Sequence, residues 1–224
     1  MRSLITILVG IGLSCVLAAA AGTAGRRHVF RVTLDATVTK QWNAVTRATR
    51  GGCPTSTRFQ GRDSITLHSS RPTTVVVTFV GGRATYTPRV VRRLVLAVDH
   101  RGARTVTTEA PCPQRTVHTR CAHKQRTIRG GIARFMRSRR NELTFSAAAL
   151  PFAMSSCPGE TPQVRAMRPD LHVTQGQISE AALANRRSSQ TALGSFEQTT
   201  ILEGDEKGSV VERVHWALTF TPAA

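Results

Sequence analysis

From Phe30 to Trp42 apolar and polar side chains alternate, with Phe30, Val32, Leu34, Ala36, Val38 and Trp42 on one side of an extended chain and Arg31, Thr33, Asp35, Thr37, Thr39 and Gln41 on the other. A period of two, rich in β-branched residues, belongs to an antiparallel strand with one face buried and one in water. The closing stretch repeats it: Val210, Val214, Trp216, Leu218 and Phe220 point one way, and Val211, Arg213, His215 and Thr219 the other. Both ends of the body of the chain are thus expected to be long strands that carry a tryptophan inward.

Shorter strands are expected between them, at Ser64–His68, Thr73–Phe79, Arg92–Asp99, Ala103–Glu109, Gly131–Arg137 and Glu142–Ala148. His100-Arg101-Gly102 reads as a hairpin turn, Ser138-Arg139-Arg140-Asn141 as another, and Glu203–Gly208 as the turn joining Gln190–Leu202 to Ser209–Thr221. At most one short helix is expected, behind Ser179 over Ala181–Ala184. Many strands with almost no helix must bury an apolar sheet face on another sheet or on themselves. The fold class is therefore all-β: an antiparallel closed or nearly closed barrel, with a two-sheet β-sandwich as the alternative. Pairing the first strand with the last would remove two long exposed edges.

The first 25 residues read as a signal peptide. Arg2 precedes an apolar run from Leu4 to Val16, and Ala19-Ala20-Ala21 and Gly22-Thr23-Ala24 both suit a signal peptidase. An uncleaved anchor and a lipid-modified Cys15 are the weaker alternatives, since small residues close the run and no large aliphatic residue stands three positions before Cys15. No second run of spanning length follows, so residues 26–224 are read as a single all-β domain without a transmembrane span, secreted or associated with the cell envelope.

Export gives the four remaining cysteines, Cys53, Cys112, Cys121 and Cys157, an oxidising setting, and disulfides are expected. Cys112 with Cys121 would pin a local loop. Cys53 and Cys157, each followed by proline, would then link two loops across the fold, though four cysteines allow three pairings. In the chain-entropy model the long link contributes about 4–5 kcal/mol and the short one about 2–3 kcal/mol. Cys112, His118, Cys121 and His123 could instead hold zinc, but their spacing fits no standard arrangement, and neither a metal nor another cofactor is expected.

No catalytic set stands out. Gly-x-Ser-x-Gly is missing, with only Gly194-Ser195-Phe196 coming near it. His100, His118 and His123 fall in expected turns, while His68, His172 and His215 fall on outward strand positions. Glu203, Asp205 and Glu206 cluster in a turn, and paired carboxylates would have to come from separate strands, for example Asp35 with Glu212.

The formal charge of +18 is carried almost wholly by arginine, the lysines being Lys40, Lys124 and Lys207. Guanidinium groups suit phosphates and carboxylates, so the local concentrations Arg92-Arg93, Arg137 with Arg139-Arg140, and Arg186-Arg187 are candidate contacts to anionic envelope polymers or lipids. Arg31, Arg213 and Lys40 would share a region if the terminal strands pair. A GC-rich coding sequence also yields arginine without selection for binding. Specific nucleic-acid recognition is not expected, because few aromatics are left to stack on bases.

The alternating strand ending in Trp42, the Gly-Gly-Cys-Pro that follows it, the Cys112–Cys121 segment, Ser156-Cys157-Pro158 and the closing Val214–Phe220 strand together resemble secreted all-β proteins of unknown function from high-GC Gram-positive bacteria. The resemblance implies strands and cysteines, and no active site. Two functions follow as expectations: a non-enzymatic binding or adhesion domain for anionic envelope material or a small apolar ligand, and, as the alternative, a secreted hydrolase whose acid–base residues come from separate strands.

Overall fold

The computed structural model describes residues 25–50, 53–81, 83–86, 92–109, 115–137, 142–149, 159–167 and 175–224. The expected leader, apart from Gly25, lies outside them, as do Cys112, Cys157, Arg139, Arg140 and His172. The strands are β1 (Arg26–Arg50), β2 (Cys53–Ser69), β3 (Thr73–Val80), β4 (Arg83–Tyr86), β5 (Arg92–Glu109), β6 (Arg115–Arg137), β7 (Glu142–Ala149), β8 (Gly176–Ser179), β9 (Gln190–Leu202) and β10 (Glu206–Pro222). Among the described residues there are also two short helices, α1 (Pro162–Ala166) and α2 (Glu180–Asn185). α2 is the helix expected behind Ser179, whose side chain occupies the cap position without making a cap hydrogen bond. α1 is an additional single turn.

All ten described strands belong to one antiparallel sheet, which sets the two-sheet sandwich aside. β1 is its spine. One edge of β1 pairs with β10 from Phe30↔Pro222 to Thr46↔Glu206. The other edge carries β2 along Asp35–Arg50 and β3 along Arg26–Val32, so these two lie end to end with a break at Ser70–Pro72. The sheet continues from β2 through β5, β6 and β7 to β8, and from β10 to β9. It curls until β8 lies against β9, where a Cβ added to Gly176 would come within 2.6 Å of the Leu193 carbonyl oxygen. The result is an all-β, barrel-like fold.

The concave face follows from the alternation. Phe30, Val32, Leu34, Val38, Leu67, Leu96, Phe145, Leu218 and Phe220 are fully or almost fully buried in one apolar cluster, with Phe145 4.8 Å from Phe220 between ring centres. Trp216 lies in the same cluster, and its ring fills the space opposite Gly194, where an added Cβ would meet it at 2.3 Å. Trp42 belongs to a second cluster at the other end, with Ala44, Val164, Leu202 and Val210. There α1 enters the concavity as a cover.

His100-Arg101-Gly102 is not a hairpin. β5 runs straight through it, pairing with β2 without interruption from Ser69↔Leu96 to Ser56↔Glu109. The irregularity is on β6, where Ala122 and His123 stand opposite Arg101 alone, because His100 faces Lys124 and Gly102 faces Cys121. Such a bulge twists a strand without reversing it. β6 also begins sixteen residues before the expected Gly131, so Cys121, His118 and His123 lie in a strand and not in a loop.

Candidate functional site

Register places charged side chains side by side on the concave face. Across β10, β1, β2 and β5, one row reads Glu212, Lys40, Asp63, Gly102, and the next reads Val210, Trp42, Gly61, Arg104. His100 occupies the adjoining row beside Ile65 and Val38. Alternation therefore delivers Lys40, Asp63, His100 and Arg104 inward, and all four are buried.

Arg104 forks onto Asp63, with Nη1 3.0 Å from Oδ1 and Nη2 3.1 Å from Oδ2. Its Nη2 also donates to Glu160 Oε1 at 2.7 Å. His100 Nε2 stands 3.2 Å from the same Asp63 Oδ1. Charge-assisted, bidentate contacts of this kind are among the strongest polar interactions a protein makes, and they are needed here because an unpaired buried charge is expensive. The Trp42 ring stands beneath both cations, its centre 4.9 Å from the Arg104 guanidinium carbon and 5.6 Å from Lys40 Nζ.

α1 is clamped over this cluster at both ends. At its start Thr161 Oγ1 accepts from the Val164 N–H and Glu206 Oε1 accepts from the Gln163 N–H. At its end Lys40 Nζ donates to the Val164 carbonyl and, at 3.0 Å, to the Met167 carbonyl. An anion at the first turn and a cation at the last turn complement the helix dipole. Burial holds the Lys40 amine below the ordinary lysine value, against the pull of Glu160 and Asp63, which favour its charged form.

The convex face over the same strands is basic. Lys207 on β10, Val45 on β1 and Arg58 on β2 form one row, and Gln41, Arg62, Ala103 and Arg120 form another across β1, β2, β5 and β6. Between them runs a polar row of Ser209, Asn43, Gln60, Thr105 and His118. Gln41, Asn43, Gln60, Arg62 and Ser209 line a shallow hollow here. Among the described residues no ion pair joins Arg58, Arg62, Arg120 or Lys207 to an acid, whereas Arg213 is tied to Glu197 at 3.0 Å and Arg101 to Asp99 at 3.3 Å.

The sequence-expected positions are scattered by comparison. Arg92 and Arg93 open β5, with Arg93 exposed, and Arg137 closes β6. Arg186 adopts a left-handed conformation after α2 and donates to the Ala223 carbonyl at 2.8 Å, and Arg187 is exposed beside it. Arg31, Arg213 and Lys40 do not form a shared region, since Arg31 faces Thr221, Arg213 faces Thr39 and Lys40 is turned inward. Asp35 and Glu212 do not meet either: Asp35 sits opposite Ala217 and Glu212 opposite Lys40, on opposite faces of the sheet. Glu206, assigned to a turn, begins β10 and is buried against α1.

Cys53 begins β2 and Cys121 lies within β6. His118 is exposed, with Nδ1 3.1 Å from Thr105 Oγ1. His68 and His215 are exposed on the convex face, as their strand positions require. Among the described residues no helix is long and apolar enough to cross a membrane. No protein-family model, curated protein or solved structure matches this chain.

Proposed function

We propose that the chain is an exported, non-enzymatic binding domain that adheres to anionic envelope polymers through the convex face of β10, β1, β2, β5 and β6. The observation that carries this reading is the convergence of Arg58, Arg62, Arg120 and Lys207 on one outward surface without acidic partners among the described residues. Four residues along a strand and two strands across place these cations roughly 10–13 Å apart. That spacing suits a polymer with repeated charges better than a single small anion. The amide and hydroxyl row between them supplies hydrogen bonds to the same chain.

Disulfides among Cys53, Cys112, Cys121 and Cys157 would secure such a domain outside the cell. The interior is occupied by Phe30, Leu34, Phe145, Trp216 and Phe220, so the apolar-ligand form of the reading gains no support.

The hydrolase reading has one observation in its favour, the 3.2 Å contact between His100 and Asp63. Both Asp63 oxygens are already engaged by Arg104, which is itself bound to Glu160. The His100 and Asp63 side chains are buried and Asp63 is committed to the Arg104 ion pair, which favours a structural role for the contact.

The test is retention of the protein on a polyphosphate-bearing matrix across a salt series. Exposed charges are screened over about 8 Å at physiological ionic strength, so retention should drop steeply as salt rises. Salt-independent retention, or none at low salt, contradicts the reading.

A further inference from the structure

Six residues along β1 from Gln41, roughly 20 Å in an extended strand, the convex face carries a second hollow, of about 490 Å³ and open to solvent. Register builds it from two adjacent rows. One reads Leu193, Ala217, Asp35 and His68 across β9, β10, β1 and β2, and the other reads His215, Thr37 and Thr66 across β10, β1 and β2. Ala217 and Thr37 are short, whereas Leu193, His215 and His68 are longer and exposed around them, so the surface dips between the strands.

The chemistry of this hollow differs from that of the basic stretch. Asp35 is exposed within it, and among the described residues no lysine or arginine is paired with it. The arginines of the adjoining row are tied to acids of their own, Arg213 to Glu197 at 3.0 Å and Arg101 to Asp99 at 3.3 Å. An anionic ligand is therefore disfavoured. Among the described residues no group of three or more His, Cys, Asp or Glu side chains is placed to hold a metal ion.

Hydrogen bonding to an uncharged partner is what the residues offer. An ionised carboxylate accepts from two donors at once, the Thr37 and Thr66 hydroxyls both donate and accept, and each histidine ring adds its nitrogens at the rim. Beside them Leu193, 68% exposed, and Ala217 present an apolar strip. A ring with adjacent hydroxyls on its edge and C–H groups on its face matches both halves.

We propose that this hollow binds a neutral sugar ring, with Asp35 accepting from two neighbouring hydroxyls, Thr37 and Thr66 bonding the next, and Leu193 with Ala217 covering one C–H face. Its volume lies in the range of small-molecule sites. The site does not rest on the basic stretch, and either reading can fail without the other.

Saturation-transfer difference NMR titrations of the full chain test it, with methyl glucoside, methyl galactoside and methyl mannoside as probes and tetramethylammonium as the rival for a site that only attracts cations. At least one glycoside should bind saturably and more tightly than tetramethylammonium. Asp35→Asn, at an exposed position, should weaken that binding about tenfold by loss of a charge-assisted acceptor. Leu193→Ser, a second and independent probe, should weaken it about threefold by loss of apolar cover. Near-ultraviolet circular dichroism establishes that each variant is folded. Arg58→Ser/Arg62→Ser/Arg120→Ser should bind the sugar as wild type does. Saturable binding of none of the three glycosides, tighter binding of tetramethylammonium, unchanged affinity in Asp35→Asn, or a loss in the arginine variant overturns the proposal.

Discussion

Trp42 and Gly61 show how closely single positions are specified. Trp42 lies directly across from Gly61, and a Cβ added there would fall 2.1 Å from the indole ring. Gly61→Ala should therefore destabilise the fold by about 1–3 kcal/mol through overpacking, read as a lower urea midpoint with unchanged slope. Lys40 makes a second prediction, with a definite sign. Its folded-state value lies below the ordinary one, so in the window between the two the unfolded chain binds more protons than the folded chain. The stability of wild type relative to Lys40→Met should rise as pH climbs through that window, in paired denaturant titrations; a falling difference contradicts the burial argument. Lys40 was half legible in the sequence, because it stands at an even position of a strand whose even positions are otherwise apolar from Phe30 to Ala44. Asp63 was not, since the local pattern shows a strand only from Ser64 onward and nothing marks Gly61 as the seat of a tryptophan.

At the scale of elements, α1 is too short to persist alone, and its stability must come from its clamps. Thr161→Ala removes the hydroxyl that accepts from the Val164 N–H and should lower stability by about 1 kcal/mol in the same denaturant assay. Gly208 closes the β9–β10 hairpin with φ of +137°, and an added Cβ would meet the Asn43 carbonyl oxygen at 2.0 Å. Gly208→Ala should exceed the Thr161→Ala loss, and an equal or smaller effect contradicts the close approach. The terminal strands and this hairpin were readable because a half-buried strand writes its period into its own residues. β6 was not readable before Gly131, because Arg115–Arg120 and Gln125–Arg129 are mostly exposed and only pairing with β5 holds them extended. The turn expected at His100-Arg101-Gly102 is absent for a related reason: its turn-forming residues are held extended by pairing with β2, and the bulge lies in the other neighbour, β6.

For the whole molecule, net charge was evident from composition, but its placement was not. Runs such as Arg186-Arg187 are neighbours in sequence only, whereas Arg58, Arg62 and Arg120 meet because β2, β5 and β6 pair in a register set by residues far apart in the chain. A curled sheet makes this possible, since outward side chains from successive strands share one surface while the inward set fills the core. The most direct measurement is the salt dependence of retention on a polyphosphate matrix for wild type, for Arg58→Ser/Arg62→Ser/Arg120→Ser, and for Arg83→Ser/Arg93→Ser/Arg187→Ser, which removes the same charge elsewhere. The first triple variant should elute at much lower salt, with the slope of log retention against log salt shallower by about 2, and the second should stay close to wild type. Equal losses in the two variants would mean that net charge alone is responsible and would contradict a binding face on β2, β5 and β6.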